Sequence, residues 1–218
     1  MNELQPGLWH WQAPHPGWEA GEVWPQEVSS YAIDDGTRLL LFDPLAVPDE
    51  LLSLAAEREP VVVLTSPWHE RDAEALVEQV GAPVYSPRPE TAQDLMDKYG
   101  LTAEQAGDGS PDLRWLRKDG GDARWYESGD RLPFGVHAFA GRSSNDFVLW
   151  IEGPQAVLAG DTLADFGNGL GLNEWLRGDS KRDQIVAGLQ PLLDLPVERV
   201  LPTHGEPTDR AALERALS

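Results

Sequence analysis

Cysteine is absent from the 218 residues, which excludes disulfides, thiolate metal sites and a cysteine nucleophile. Basic residues are scarce: Lys and Arg number 17 against 37 Asp and Glu, a formal charge of −20, and such a surface repels phosphate backbones and anionic membranes. Neither nucleic acid nor a membrane is therefore expected as a partner. Nowhere do roughly 18 apolar residues occur together, and residues 1–18, MNELQPGLWHWQAPHPGW, have no basic stretch leading into an apolar one, so no membrane span or signal peptide is expected. The expectation is a soluble cytoplasmic protein with an acidic, well solvated surface.

What is present is an alternation of strand and helix signals. VSSYAIDDGTRLLLFDPL (28–45) carries a DDG turn between two apolar or alternating runs, a hairpin whose second strand stops at Asp43 and Pro44. VPDELLSLAAEREP (47–60) has helical spacing closed by Pro60, VVVL (61–64) reads as a buried strand, and Ala73, Leu76, Val77 and Val80 form a helical stripe ended by Gly81. The middle, about 84–133, is less periodic: PRPETAQDLMDKYGLTAEQAG reads as broken helix, and GDGSPDLRWLRKDGGDARWYESGDRL as loop and hairpin. From about 134 the first pattern returns, with strands in FGVHAFAG, DFVLWIEG, QAVLAG and VERVL and helices in KRDQIVAGLQPLLDL and DRAALERAL. Two similar halves (about 1–83 and 134–218) around a middle insertion, packed sheet to sheet with helices outside, make one α/β domain.

Polar residues then fall at the ends of several strands: Asp43, Thr65 to Asp72, Gly141-Arg142, Gly160-Asp161 and Thr203-His204. Open α/β sheets bind ligands in the crevice beyond the carboxyl ends of their strands. In order and spacing these segments resemble the metallo-β-lactamase fold family. LLLFDP is similar to its strand ending in Asp, LTSPWHERD to its THxHxDH turn, FAGRSSNDFVLWI to its PGHTPGS segment, VLAGDTLAD to its bridging-Asp strand and VLPTHGEP to its closing P-x-HG turn. The resemblance implies a four-layer αββα sandwich and, in the family, one or two metal ions that hold hydroxide and polarise the substrate.

Carried over position by position, the resemblance puts Ser66, Trp68 and Arg71 where the family has three histidines of the turn. Glu70 stands at its Asp and Arg142 at its fourth histidine; only Asp161 and His204 are as the family has them. These replacements imply loss of the dinuclear centre and a protein without the family's hydrolase chemistry. A buried carboxylate at Asp161 needs a counter-charge, and arginine is built for bidentate contact with carboxylates, so Arg71 and Arg142 are expected to supply it in place of metal.

Two alternatives stay open. If the first turn is shifted by one residue, His69, Asp161 and His204, joined by Asp72, supply ligands for one zinc, iron or manganese ion. Glu70 or Asp72 then assists water in hydrolysis of an ester, thioester or lactam. Otherwise Arg71, Arg142, Trp68 and Asp43 line a receptor for a small anionic molecule. In each case the partner is a small-molecule ligand or substrate.

Other residues invite blander readings. His10 and His15, among Trp9, Trp11 and Trp18, fit an edge anchored by aromatic burial, and His137 a hydrogen-bonded strand histidine. GNGLG (167–171) does not follow a strand and open a helix, and DFG (165–167) lacks every other kinase element, so both are loop composition. Ser143 and Ser144 lack a nucleophile elbow, and Ser66 before Pro67 suits a helix cap.

Overall fold

The computed structural model describes residues 1–118, 123–173 and 181–218. Its first half is a sheet grown outward from the expected hairpin. Strands β3 (Glu27–Asp34) and β4 (Arg38–Phe42) pair antiparallel across Gly36, which takes a left-handed φ of 88° that the turn requires. Asp34 and Asp35 accept the backbone amides of Gly36, Thr37 and Arg38 at 2.7–2.9 Å, the local bonding that makes aspartate a turn residue. On one side lie β1 (Asn2–Gln5) and β2 (Leu8–Pro14), antiparallel strands that the aromatic N-terminal stretch did not announce. On the other, β5 (Glu59–Val63) and β6 (Val84–Pro87) are parallel additions reached through helices α1 (Asp49–Ala55) and α2 (Ala73–Val80).

The middle segment contributes to both sheets. Helices α3 (Ala92–Tyr99), α4 (Ala103–Ala106) and α5 (Trp115–Lys118) precede β7 (Arg124–Tyr126), which extends the first sheet by pairing parallel with β6. Strand β8 (Arg131–Leu132) joins the second sheet beside β9 (Val136–Ser143). The hairpin expected within 107–132 is not formed among the described residues: the strands of this stretch face different neighbours, and part of it, 119–122, lies outside the described residues. The Gly-rich punctuation marked turns correctly but could not say which partner each strand would find.

The second sheet continues with β10 (Asp146–Ile151) and β11 (Ala156–Leu158). After the small ribbon of β12 (Leu163–Ala164) and β13 (Gly171–Leu172), helix α6 (Arg182–Leu189) leads to β14 (Arg199–Leu201) and β15 (Thr208–Asp209), and α7 (Arg210–Ala216) closes the chain. The helix expected over 181–195 changes at Gln190 into a 3-10 turn, where Pro191 lacks the amide needed for another α-helical turn.

Period-two alternation sorts the strands into layers. In β4, Leu40 and Phe42 enter the core between the sheets, with Phe147, Leu149 and Ile151 of β10, while Leu39 and Leu41 face Leu51 and Leu76 of α1 and α2. In β10 the alternate residues Val148 and Trp150 face Ile185, Leu189 and Leu213 of α6 and α7. Helix, sheet, sheet, helix is the result, and the carboxyl ends of β4, β5, β11 and β14 meet along one edge. Among the described residues no helix is long and apolar enough to cross a membrane.

Candidate functional site

At that edge the first turn is fastened from below. Asp43, fully buried at the end of β4, accepts the amide of Thr65 at 2.8 Å and its hydroxyl at 2.6 Å. Ser66 caps the short 3-10 turn Pro67–His69 as its sequence suggests. The turn throws the ring of His69, 5% exposed, inward. Its Nδ1 lies 3.1 Å from Asp43 Oδ2 and 2.9 Å from Thr65 Oγ1, and its Nε2 lies 3.2 Å from Asp161 Oδ1. Burial alone would push this imidazole down, but carboxylates at both nitrogens outweigh it and raise it to about 9. His69 is thus an imidazolium at neutral pH.

Asp161 sits at the centre. His204 Nε2 approaches the same Oδ1 at 3.3 Å. Neither imidazole approach has hydrogen-bond geometry, so Oδ1 has no hydrogen-bond partner among the described residues. The other oxygen, Oδ2, receives Arg142 NH2 at 2.8 Å, and Arg142 Nε reaches Asp146 Oδ2 at 2.5 Å. The guanidinium therefore lies between two buried carboxylates. Burial pushes Asp161 upward, but His69, His204 and Arg142 together hold it well below the usual carboxylate range. Asp146 is raised to about 6 by its burial, which Arg142 only partly offsets and the charge of Asp161 reinforces.

Strand β9 runs through Ser143, so Arg142 is a strand residue and does not follow the strand as expected. Its amide donates to Thr162 Oγ1 at 2.9 Å. The neighbouring Gly141 is obligatory, because a Cβ there would stand 2.2 Å from both Asp146 O and Thr162 Oγ1. Gly160, at φ +55°, similarly leaves no room beside Asp146 and Phe147.

The remaining predicted residues divide. Arg71 does not reach Asp161; its NH1 donates to the carbonyls of Asp43 at 2.6 Å and Ser29 at 3.2 Å, while its Nε finds no partner among the described residues. The expectation that both arginines pair with Asp161 is corrected for Arg71, whose backbone, at φ 38°, aims its side chain at the β3–β4 carbonyls instead. Glu70 accepts the indole N–H of Trp115 at 3.3 Å, and Asp72 accepts the amide of Ala46 at 2.5 Å. Both carboxylates expected to assist water are thus engaged outside the central cluster, because they point from the turn toward α5 and the β4–α1 loop. Trp68, 50% exposed, lines the cavity of about 370 Å³ above the centre together with His15, Trp24, His69, Arg142, Asp161 and His204.

Sequence reasoning missed several neighbours. Trp24 and Phe166 pack edge-on against the His204 ring at 5.1 and 5.8 Å, and Asp146 shares Arg142. The aspartate has no motif of its own; a buried acid four residues beyond Arg142 is the only signal that could have found it. His15 packs against Trp24 at 5.3 Å and so borders the cavity, whereas His10 bonds Ser29 Oγ at 2.9 Å and stacks on Tyr31. His137 pairs with Glu152 at 2.8 Å. The 165–169 stretch is an aspartate-capped loop, with Asp165 accepting the amides of Gly167 and Gly169. Among the described residues no group of three or more His, Cys, Asp or Glu side chains is arranged to hold a metal ion.

No protein-family model and no curated protein matches the chain. Solved structures do. TTHA1623 in a di-iron-bound form is similar over 88% of this chain and 94% of its own, at 27% identity and a TM-score of 0.57. The B3 metallo-β-lactamase BLEG-1 matches over 95% and 97% at 17% identity with a TM-score of 0.57. TMB-1, studied for substrate and inhibitor binding, matches over 99% and 94% at 15% identity with a TM-score of 0.60. Similar over nearly its whole length to these structures, the chain has the metallo-β-lactamase fold.

Proposed function

We propose that this chain is a metallo-β-lactamase-fold protein in which an internal ion-pair network replaces the metal centre, leaving a small-molecule-binding fold without metal-dependent hydrolase chemistry. One observation carries the reading: Arg142, at a position where the family resemblance expects a histidine ligand, places its guanidinium 2.8 Å from Asp161 and 2.5 Å from Asp146. Ser66, Trp68 and Arg71 offer no imidazole, and Arg142 brings positive charge to the carboxylate a cation would need. These residues do not fit a dinuclear centre. A guanidinium and an imidazolium about Asp161 supply the positive charge that metal ions supply elsewhere in the fold.

The cavity over this network has aromatic walls, Trp24 and Trp68, and suits a small organic molecule. Arg142 is committed to carboxylates, whereas Arg71 donates to neutral carbonyls and has no carboxylate partner among the described residues, so ring stacking and an anionic group on the ligand both serve as sources of affinity.

Elemental analysis of protein purified without chelators, from cells supplied with zinc, iron and manganese, tests the proposal. The expected result is substoichiometric metal and a melting temperature unchanged by chelator. One equivalent or more of metal, retained with both arginines in place, overturns it. A single-ion reading is favoured by one feature, the convergence of His69 Nε2 and His204 Nε2 on Asp161 Oδ1, an oxygen with no hydrogen-bond partner. That reading requires one equivalent of metal that is lost in His69→Ala.

A further inference from the structure

The cavity above Asp161 is lined by a cation that touches no anion. We infer that this cavity binds a small aromatic monocarboxylate, its carboxylate received by Arg71 and its ring held between Trp24 and Trp68. The inference rests on the reading of the cavity as a small-molecule site without metal, and it adds the class of the ligand.

Arg71 leaves the first turn at a φ of 38°, a path that takes its guanidinium among uncharged oxygens. NH1 donates to Asp43 O at 2.6 Å, to Ser29 O at 3.2 Å and to Ser30 Oγ at 3.5 Å. The neighbouring carboxylates are occupied elsewhere: Asp43 faces Thr65 and His69, and Asp161 faces Arg142 and His69. Burial pulls the guanidinium below its ordinary value, and the more distant charges of Asp43, Asp161 and Asp72 do not make up the difference. A charge taken out of water costs several kcal/mol unless it is paired by contact. Here the protein supplies the cation and leaves the anion to a ligand.

The open donor is NH2. Nε is shut away without a partner, whereas NH2 makes no hydrogen bond and is not among the shut-off atoms, so it keeps the accessible surface through which a ligand can reach Arg71 on the cavity lining. With NH1 fastened to β3 and β4, the planar guanidinium holds NH2 in place before any ligand arrives, which lowers the cost of binding.

The rest of the lining sets the ligand's size, ring and charge. About 370 Å³ suits a single ring with a short acidic arm, and Trp24 and the half-exposed Trp68 offer indole faces to that ring. In a chain of −20, the lining carries Arg71, Arg142 and the imidazolium of His69 against Asp161 and Glu22. Asp161 is neutralised by Arg142 and His69, but Glu22, exposed beside Trp24, leaves the lining unsuited to a second negative charge. One carboxylate fits; a phosphate dianion does not.

Isothermal titration of the full chain, freed of metal by chelator, compares phenylacetate with its neutral twin phenylacetamide and with phenyl phosphate. Phenylacetate is expected to saturate one site, at least about tenfold tighter than the amide, the effect of one charge-assisted hydrogen bond, with phenyl phosphate weaker than phenylacetate. Arg71→Met should abolish the preference for the acid while leaving the amide within about twofold of its wild-type affinity, which a merely loosened turn would not do. Trp68→Ala, on an exposed side chain, should weaken acid and amide in equal proportion. Cooperative melts show that both variants are folded. The inference is overturned by an amide that binds the wild type as tightly as the acid, by an acid preference that survives Arg71→Met, or by phenyl phosphate binding more tightly than phenylacetate. Phenylacetate binding that appears only on adding zinc or iron overturns the metal-free reading as well; no binding with or without metal overturns this inference alone.

Discussion

Two segments of this molecule, the first turn and strand β9, each carry an arginine where the fold's resemblance leads one to expect a histidine, and they use it differently. In the second, Arg142 stands on β9 between Asp146 and Asp161, and its charge is the point. In the first, Arg71 holds a left-handed backbone and donates to the carbonyls of Asp43 and Ser29, tying the turn to β3 and β4. The charge opposite Asp161 on that side comes from His69, two residues earlier. The same substitution of residue type therefore produces a counter-ion on β9 and a fastener in the first turn. Position along the chain predicts which element a side chain leaves from, but not which oxygen it reaches.

The most direct way to break the comparison is to remove both guanidiniums in turn. Arg142→Ala strands the buried Asp146 and leaves Asp161 with the His69 imidazolium as its counter-charge, and breaking a buried pair costs about 3–5 kcal/mol. Arg71→Met removes hydrogen bonds to carbonyls, of which Asp43 O keeps the Ser30 hydroxyl at 2.7 Å, so the expected loss is about 1–2 kcal/mol. Urea denaturation of both at pH 7 measures the difference. Equal losses would mean that Arg71 also acts as a counter-ion.

Proton linkage sharpens the comparison from the histidine side. Because the fold raises His69 from 6.5 to about 9, the native state binds a proton that the unfolded chain has released between those values. The stabilisation, ~3 kcal/mol, is fully present below pH 6.5 and is lost as pH rises through about 9. His10 and His15, shifted down by burial, titrate below this window. Stability measured from pH 6.5 to 9.5 should fall in the wild type and flatten in His69→Gln. A wild-type profile that is level across this range would remove His69 as the second cation.

Much of this architecture was readable beforehand. The DDG hairpin, both sheets' apolar strands and the helices flanking them follow from period-two and period-3.6 patterns that packing had no reason to override. Asp43, Arg142, Asp161 and His204 were legible as neighbours because each ends or edges a strand. Two things were not. β1 and β2 lie in a stretch whose tryptophans and prolines mask alternation, and β7 and β8 separate because strand pairing is a long-range choice that local turn chemistry cannot make. His69 stands opposite Asp161 where Arg71 was expected for a related reason. Within a tight turn, a change of one residue in backbone path swings the side chain by a large angle, and the left-handed Arg71 sits where that happens.

The smallest expected effect concerns Glu70, which the sequence resemblance sets at the family's acid position in the first turn. Burial raises its carboxyl, the Trp115 indole opposes that rise, and the charges of Glu74 and Asp112 add to it. A carboxamide oxygen can accept the same indole proton at 3.3 Å, and it carries no charge to repel Glu74 or Asp112. Glu70→Gln should therefore change stability by no more than about 0.5 kcal/mol in either direction. The contrast with Arg142→Ala is the informative part. A general base contributes about 10²–10⁴ to a rate; a Glu70→Gln variant that lost a measurable hydrolysis by such a factor would place the working carboxylate in the first turn and make Arg142 its support.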